Sequence, residues 1–225
     1  MKFFSTLAVG FCLFAGPLVA AESSHKLKEV KGLPKELSPK IAAVLHESGQ
    51  QVTGPDGALC VVWLAKDLAV KPKFKPSQSV AYPFTHGQLL GAIQFPEGSS
   101  GFDFRSQEIP AGVYTLRYGQ QPEDGNHLGT SEIRDFCMAL PAEHDKDPKP
   151  IFNPMQLNEQ SAEAAGSTHP AIFLMSAPPE KPEKESKIIH DEDHDFQILQ
   201  LTTTGKAADK PVPLLVRIVV VGAGE

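Results

Sequence analysis

The chain has 225 residues, with 21 Lys and Arg against 27 Asp and Glu, for a formal net charge of -6 at neutral pH. That acidic balance argues against polyanionic partners, because nucleic acid and anionic lipid surfaces would repel it. The 20 Pro and 18 Gly break the sequence at short intervals, which fits many short strands and turns better than long helices.

Met1-Lys2 is a short basic start, and residues 3–15 form an apolar stretch too short to span a bilayer. Val19-Ala20-Ala21 then supplies the small residues that a signal peptidase needs. Residues 1–21 are therefore expected to be a signal peptide, and loss of Lys2 with it leaves the mature chain slightly more acidic. Cys12 follows Phe11 where a lipoprotein site needs a small residue, so no lipid anchor is expected. No later segment is apolar enough to insert into a membrane, and the expected location is periplasmic or extracellular. Residues 22–225 suit a single domain.

In chain order, Ser38-Pro39 followed by Lys40-Ile41-Ala42-Ala43-Val44-Leu45 reads as a capped short helix with Pro in its first turn, ended by Gly49. The turn Gly54-Pro55-Asp56-Gly57 separates two extended runs, 50–53 and 58–66, and predicts a hairpin. Cys60-Val61-Val62-Trp63-Leu64 is apolar on both faces, as in an interior strand. Further strands are expected at 88–95, 113–118, 134–140, 171–176, 195–203 and 213–221, the last being β-branched and nearly all apolar. Asn153-Pro154 starts a second short helix that Gly166 stops. The run 178–187 (P-P-E-K-P-E-K-E-S-K) is too polar to pack and reads as an exposed loop. With few helices to cross over between parallel strands, the fold class is mainly β: an antiparallel β-sandwich with one or two short peripheral helices.

The chain contains no G-x-S-x-G, H-E-x-x-H, P-loop or C-x-x-C. His190-Asp191-Glu192-Asp193-His194-Asp195 begins like a calcium loop, but Phe196 stands where Gly is needed and Thr202 where the closing Glu belongs. It reads better as a solvated acidic loop than as a transition-metal site. Cys60 and Cys137 are the two cysteines of the mature chain, and in an oxidising compartment they invite a disulfide, the alternative being two buried thiols. The expectation adopted is a bond joining the Trp63 strand to the strand at 134–140.

The densest polar segment is the loop between the strands at 113–118 and 134–140. Gln120, Gln121, Asp124, Asn126 and His127 could bind a ligand there, with Arg117 and Arg134 flanking it. Each also has a plainer role: Arg117 in a structural ion pair, His127 and Asp124 as groups that pin a Gly-rich turn. His127, Asp124, His144 and His169 supply imidazole and oxygen ligands that could hold zinc or copper if they converged. Tyr114, Leu116 and Tyr118 share one strand face and are expected in the core.

The run A-G-V-Y-T-L-R-Y-G-Q-Q-P-E-D-G-N-H-L-G at 111–129, with R-D-F at 134–136, S-T-H-P at 167–170 and V-W-L-A-K at 62–66, resembles a family of exported bacterial proteins, common in planctomycete-type genomes, that has no assigned activity. The resemblance covers most of the mature chain and implies export rather than a chemistry. The phrase I-P-A-G-x-Y-T-L also recurs in β-sandwich modules at a turn into a core strand. The functional expectation is an exported, non-enzymatic β-sandwich that binds a ligand or an envelope partner through residues 120–129. The alternative is a metal-dependent enzyme or metal-binding protein centred on His127.

Overall fold

The computed structural model describes residues 24–122, 133–179, 181 and 183–224. The expected signal peptide and three of the loop candidates, Asp124, Asn126 and His127, lie outside the described residues. Thirteen strands are described: β1 (Lys26–Lys31), β2 (Ser48–Gly54), β3 (Gly57–Leu64), β4 (Leu68–Ala69), β5 (Leu89–Phe95), β6 (Gly101–Phe102), β7 (Glu108–Ile109), β8 (Gly112–Gln120), β9 (Asp135–Pro141), β10 (Ile172–Leu174), β11 (Lys187–Asp191), β12 (Phe196–Ala207) and β13 (Lys210–Val221). Two short helices, α1 (Pro39–Val44) and α2 (Pro154–Ala162), accompany them.

A seven-stranded antiparallel sheet runs β1-β2-β3-β5-β8-β9-β10, and a second sheet runs β11-β12-β13 with β4 attached in parallel to β12. The fold is mainly β, as the punctuation of the sequence implies. Period-two alternation explains how the sheets share a core. On β12 and β13, Leu199 pairs with Ile218 and Leu201 with Val216, and all four are buried in one cluster with Val52, Val62, Ile93, Leu116 and Tyr118 of the large sheet. The intervening residues of that hairpin, Gln200 and Arg217, turn to the other face, where the Arg217 Nε donates to Gln200 Oε1 at 2.8 Å.

Local signals behaved as their chemistry requires. Ser38 caps α1 by accepting from the Ile41 N–H at 3.3 Å, and Asn153 caps α2 by accepting from the Met155 N–H at 3.0 Å. Gly54 pairs with Gly57 across the two-residue turn Pro55-Asp56. Gly49 does not end α1, whose C-cap is Leu45; it sits inside β2 because the Trp63 indole lies against it. A Cβ at Gly49 would come within 2.6 Å of that ring.

β1 and β11 were not expected as strands. Both are rich in charge (KLKEVK and KIIHD) and half exposed, so their identity comes from pairing with β2 and β12 rather than from an apolar run. The described residues of the polar run at 178–187 have no regular structure until Lys187 opens β11, and Glu183 accepts from Gln200 Nε2 at 2.9 Å.

The expected disulfide does not form. Cys60 and Cys137 are both free and buried. They belong to β3 and β9 of the same sheet, with β5 and β8 between them. Three inter-strand steps of about 4.8 Å alone separate them by roughly 14 Å, and the register offsets them further along the strands, against the ~4.4–6.8 Å between Cα atoms that a bridge needs.

Candidate functional site

Strand β8 is buried on both faces, and the alternation of its side chains builds what surrounds it. Tyr114, Leu116 and Tyr118 enter the core between the sheets, as expected. Thr115, Arg117 and Gly119 face the other way, level with Leu140, Met138 and Phe136 of β9. Helix α2 covers part of this outer face, where Leu157 packs on Met138 and Leu140. The segment after β9 covers another part and delivers Asp145 onto Arg117.

Arg117 is fully buried and has no donor left for a ligand. Its Nε and one Nη grip the two Asp145 carboxylate oxygens at 2.6 and 2.7 Å. Its remaining N–H groups reach the carbonyls of Gly87, Lys149 and Asp147 at 2.8, 2.8 and 2.6 Å. Its place among the ligand candidates is therefore corrected: it is a structural anchor, with a carboxylate 28 residues away that the strand pattern could not reveal.

Where α2 leaves the outer face open, a cleft of about 790 Å³ remains. Phe104, Phe136, Met138 and Ile172 give it an apolar lining, and Gly119 contributes bare backbone. A Cβ at Gly119 would fall 2.5 Å from Met138 Sδ. The rim carries His86, Arg105, Gln120, Gln121, Asn158, Thr168 and His169. The structure thus brings Gln120, Gln121 and His169, candidates from two distant parts of the sequence, onto one cavity. No Asp, Glu, Ser or Cys is among the described residues that line it.

Each wall is held from behind. Gln120 donates from Nε2 to the Tyr118 hydroxyl at 2.8 Å, and that hydroxyl donates to Asp135 Oδ1. Asp135 Oδ2 takes the Ala81 N–H at 2.6 Å. Burial raises the Asp135 carboxyl above its usual range, against the opposing pull of the hydrogen bonds from Tyr118, Ala81 and Tyr82 and of the Arg134 charge. The opposite wall rests on Asp103, only 1 % exposed. Its Oδ1 accepts from the Arg105 and Gln107 N–H groups at 2.9 and 2.8 Å, and its Oδ2 from Gln107 Nε2 and the Ile172 N–H at 2.9 and 3.0 Å. Gln107 reaches on to the Pro170 carbonyl at 3.1 Å, and its Oε1 takes the Ser167 hydroxyl at 2.5 Å, locking the His169 loop to the Arg105 turn.

The other candidates lie elsewhere. Arg134 closes the base of the loop, with its Nε on the Gln121 carbonyl at 2.8 Å and its backbone paired with Gln121. His144 stands beside Glu163, Nδ1 to Oε2 at 2.5 Å, in an exposed pair and not on the cleft. The residues His190 and His194 bond to Asp195 and Asp191 at the β11–β12 turn. Among the described residues no three His, Cys, Asp or Glu side chains form a group that could hold a metal ion.

His86, Arg105, Asn158 and Thr168 were not anticipated. His86 Nε2 is buried with no hydrogen-bond partner among the described residues, and burial lowers the ring's pKa below the ordinary histidine value. The one local signal was F-D-F-R-S, whose Asp two residues before Arg makes a side-chain-to-backbone turn. Known proteins offer no guide here, since no protein-family model, curated protein or solved structure matches the chain.

Proposed function

We propose that this protein is an exported, non-enzymatic β-sandwich that binds a small ligand in the cleft over β8, β9 and β10, beside the start of the loop that carries Gln120 and Gln121. The observation that carries the reading is the convergence of Gln120, Gln121 and His169 on one cavity with an apolar lining. Its volume lies in the ~300–1,000 Å³ range of small-molecule sites, and a few polar groups around an apolar floor are what such sites use to orient a ligand. Among the described residues the lining has no carboxylate or thiol to pair with an imidazole as nucleophile and base, which favours retention over turnover. The sequence resemblance to exported bacterial proteins supports the compartment.

The test is a small-molecule fragment screen by ligand-observed NMR on the purified protein, repeated with Asn158→Trp. Asn158 is an exposed position of α2 on the rim, so the indole obstructs the cleft without entering the core. Binders whose saturable signals vanish in Asn158→Trp support the reading; binders unaffected by it place the site elsewhere. Turnover on a hydrolase panel that is lost in His169→Ala overturns the non-enzymatic assignment.

A further inference from the structure

Building on the cleft as the ligand site, we infer the class of its ligand: an organic carboxylate with an apolar body, whose charged head is recognised by Arg105. The protein as a whole is acidic, yet among the described residues no Asp or Glu lines this cavity. Arg105 is the one residue with a permanent positive charge among the described residues that line it. Asp103, the nearest carboxylate in sequence, cannot neutralise the guanidinium, because both its oxygens are occupied by the backbone N–H groups of Arg105, Gln107 and Ile172 and by Gln107 Nε2. Among the described residues the Arg105 side chain has no ion pair or hydrogen bond.

The backbone that carries the guanidinium is held in place. Asp103 pins the Arg105 backbone, and Ser106 completes the turn in the left-handed region at φ 59°. The fixed turn sets where the side chain starts at the cleft rim, and the planar fork of its guanidinium matches a carboxylate edge to edge. One cation beside a neutral imidazole suits one negative charge better than the two of a phosphate ester. Burial keeps His86 in its uncharged form near neutral pH, so it contributes a polar contact without adding a second cation. The Phe104, Phe136, Met138 and Ile172 surfaces then take the apolar body.

The experiment compares pairs of probes that differ only in the head group, such as 2-naphthoate with 2-naphthamide, phenylpropanoate with its amide, and octanoate with octanamide. Calorimetric titration of the purified protein is expected to show at least one carboxylate binding about tenfold or more tighter than its amide. Arg105→Gln should abolish that difference by weakening the carboxylate far more than the amide, with the fold intact, since Arg105 is exposed and only its backbone is used in the fold. Lys28→Gln on β1 removes the same charge at a distance and should leave the preference intact. Amides that bind in the cleft as well as their carboxylates, or a preference that survives Arg105→Gln, overturn the anion assignment and leave the cleft reading standing. Failure of every probe of both kinds, together with a fragment screen that finds nothing displaced by Asn158→Trp, overturns both.

Discussion

Arg117 and Asp145 form a two-pronged ion pair inside the protein, with their side chains 0 % and 4 % exposed. Thr115 adds its hydroxyl to Asp145 Oδ2 at 2.5 Å, so both charged groups are hydrogen-bonded as well as paired. Removing one partner strands the other charge in the interior, at a cost of about 3–5 kcal/mol. Asp145→Leu and Arg117→Met are each expected to lose stability on that scale in urea unfolding, and the double variant much less than the two losses added. Additive losses would show that the pair is not coupled.

Tyr118 and Asp135 predict a pH dependence. Because the folded-state pKa of Asp135 is raised, the folded protein holds a proton there that the unfolded chain has already released. Stability from this group is therefore greatest in acid and falls as pH rises from the ordinary carboxylate value through the raised one. Tyr118→Phe removes a donor to the charged form and should raise the pKa further. The expected loss is about 1–3 kcal/mol at pH 8 and smaller at pH 4, because the raised pKa means that the carboxyl gains its proton as pH falls and then has less need of the lost donor. Equal losses at the two pH values, measured by chemical denaturation, would contradict this.

The buried thiols should be silent. Burial pushes Cys60 up to about 12 and Cys137 higher still, so neither forms thiolate at neutral pH. Peptide mapping after maleimide treatment of native protein is expected to find both unmodified, and both modified once the protein is unfolded without reductant. A peptide containing Cys60 joined to Cys137 would contradict the sheet order.

Trp63 is enclosed by two glycines that do different work. At Gly49 an added Cβ meets the indole ring, while at Gly91 it would stand 2.1 Å from the Trp63 carbonyl oxygen. A ring can shift, whereas a backbone carbonyl held in the β3–β5 ladder cannot do so cheaply. Gly49→Ala is expected to cost about 1–3 kcal/mol and to shift the emission of this single tryptophan, because its Nε1 donates to the Gly32 carbonyl at 2.9 Å. Gly91→Ala should cost more, and thermal melts of the two variants rank them.

What could be read from the sequence depends on neighbours a few residues apart. The Ser38 and Asn153 caps, the Pro55-Asp56 turn, the alternation that puts Tyr114, Leu116 and Tyr118 in the core, and the mainly β class follow from backbone geometry and side-chain chemistry within one turn or strand. Tertiary structure decided everything that depends on strand order. The sheet separates Cys60 from Cys137 by two intervening strands, and it turns the charged runs of β1 and β11 into paired strands. It also gives Arg117 to Asp145 and brings Gln120 and His169 to the same cleft as His86 and Arg105. Periodicity tells which face of a strand a residue occupies but not which segment will cover that face. Partners tens of residues apart in sequence meet only when the sheets close on their common core.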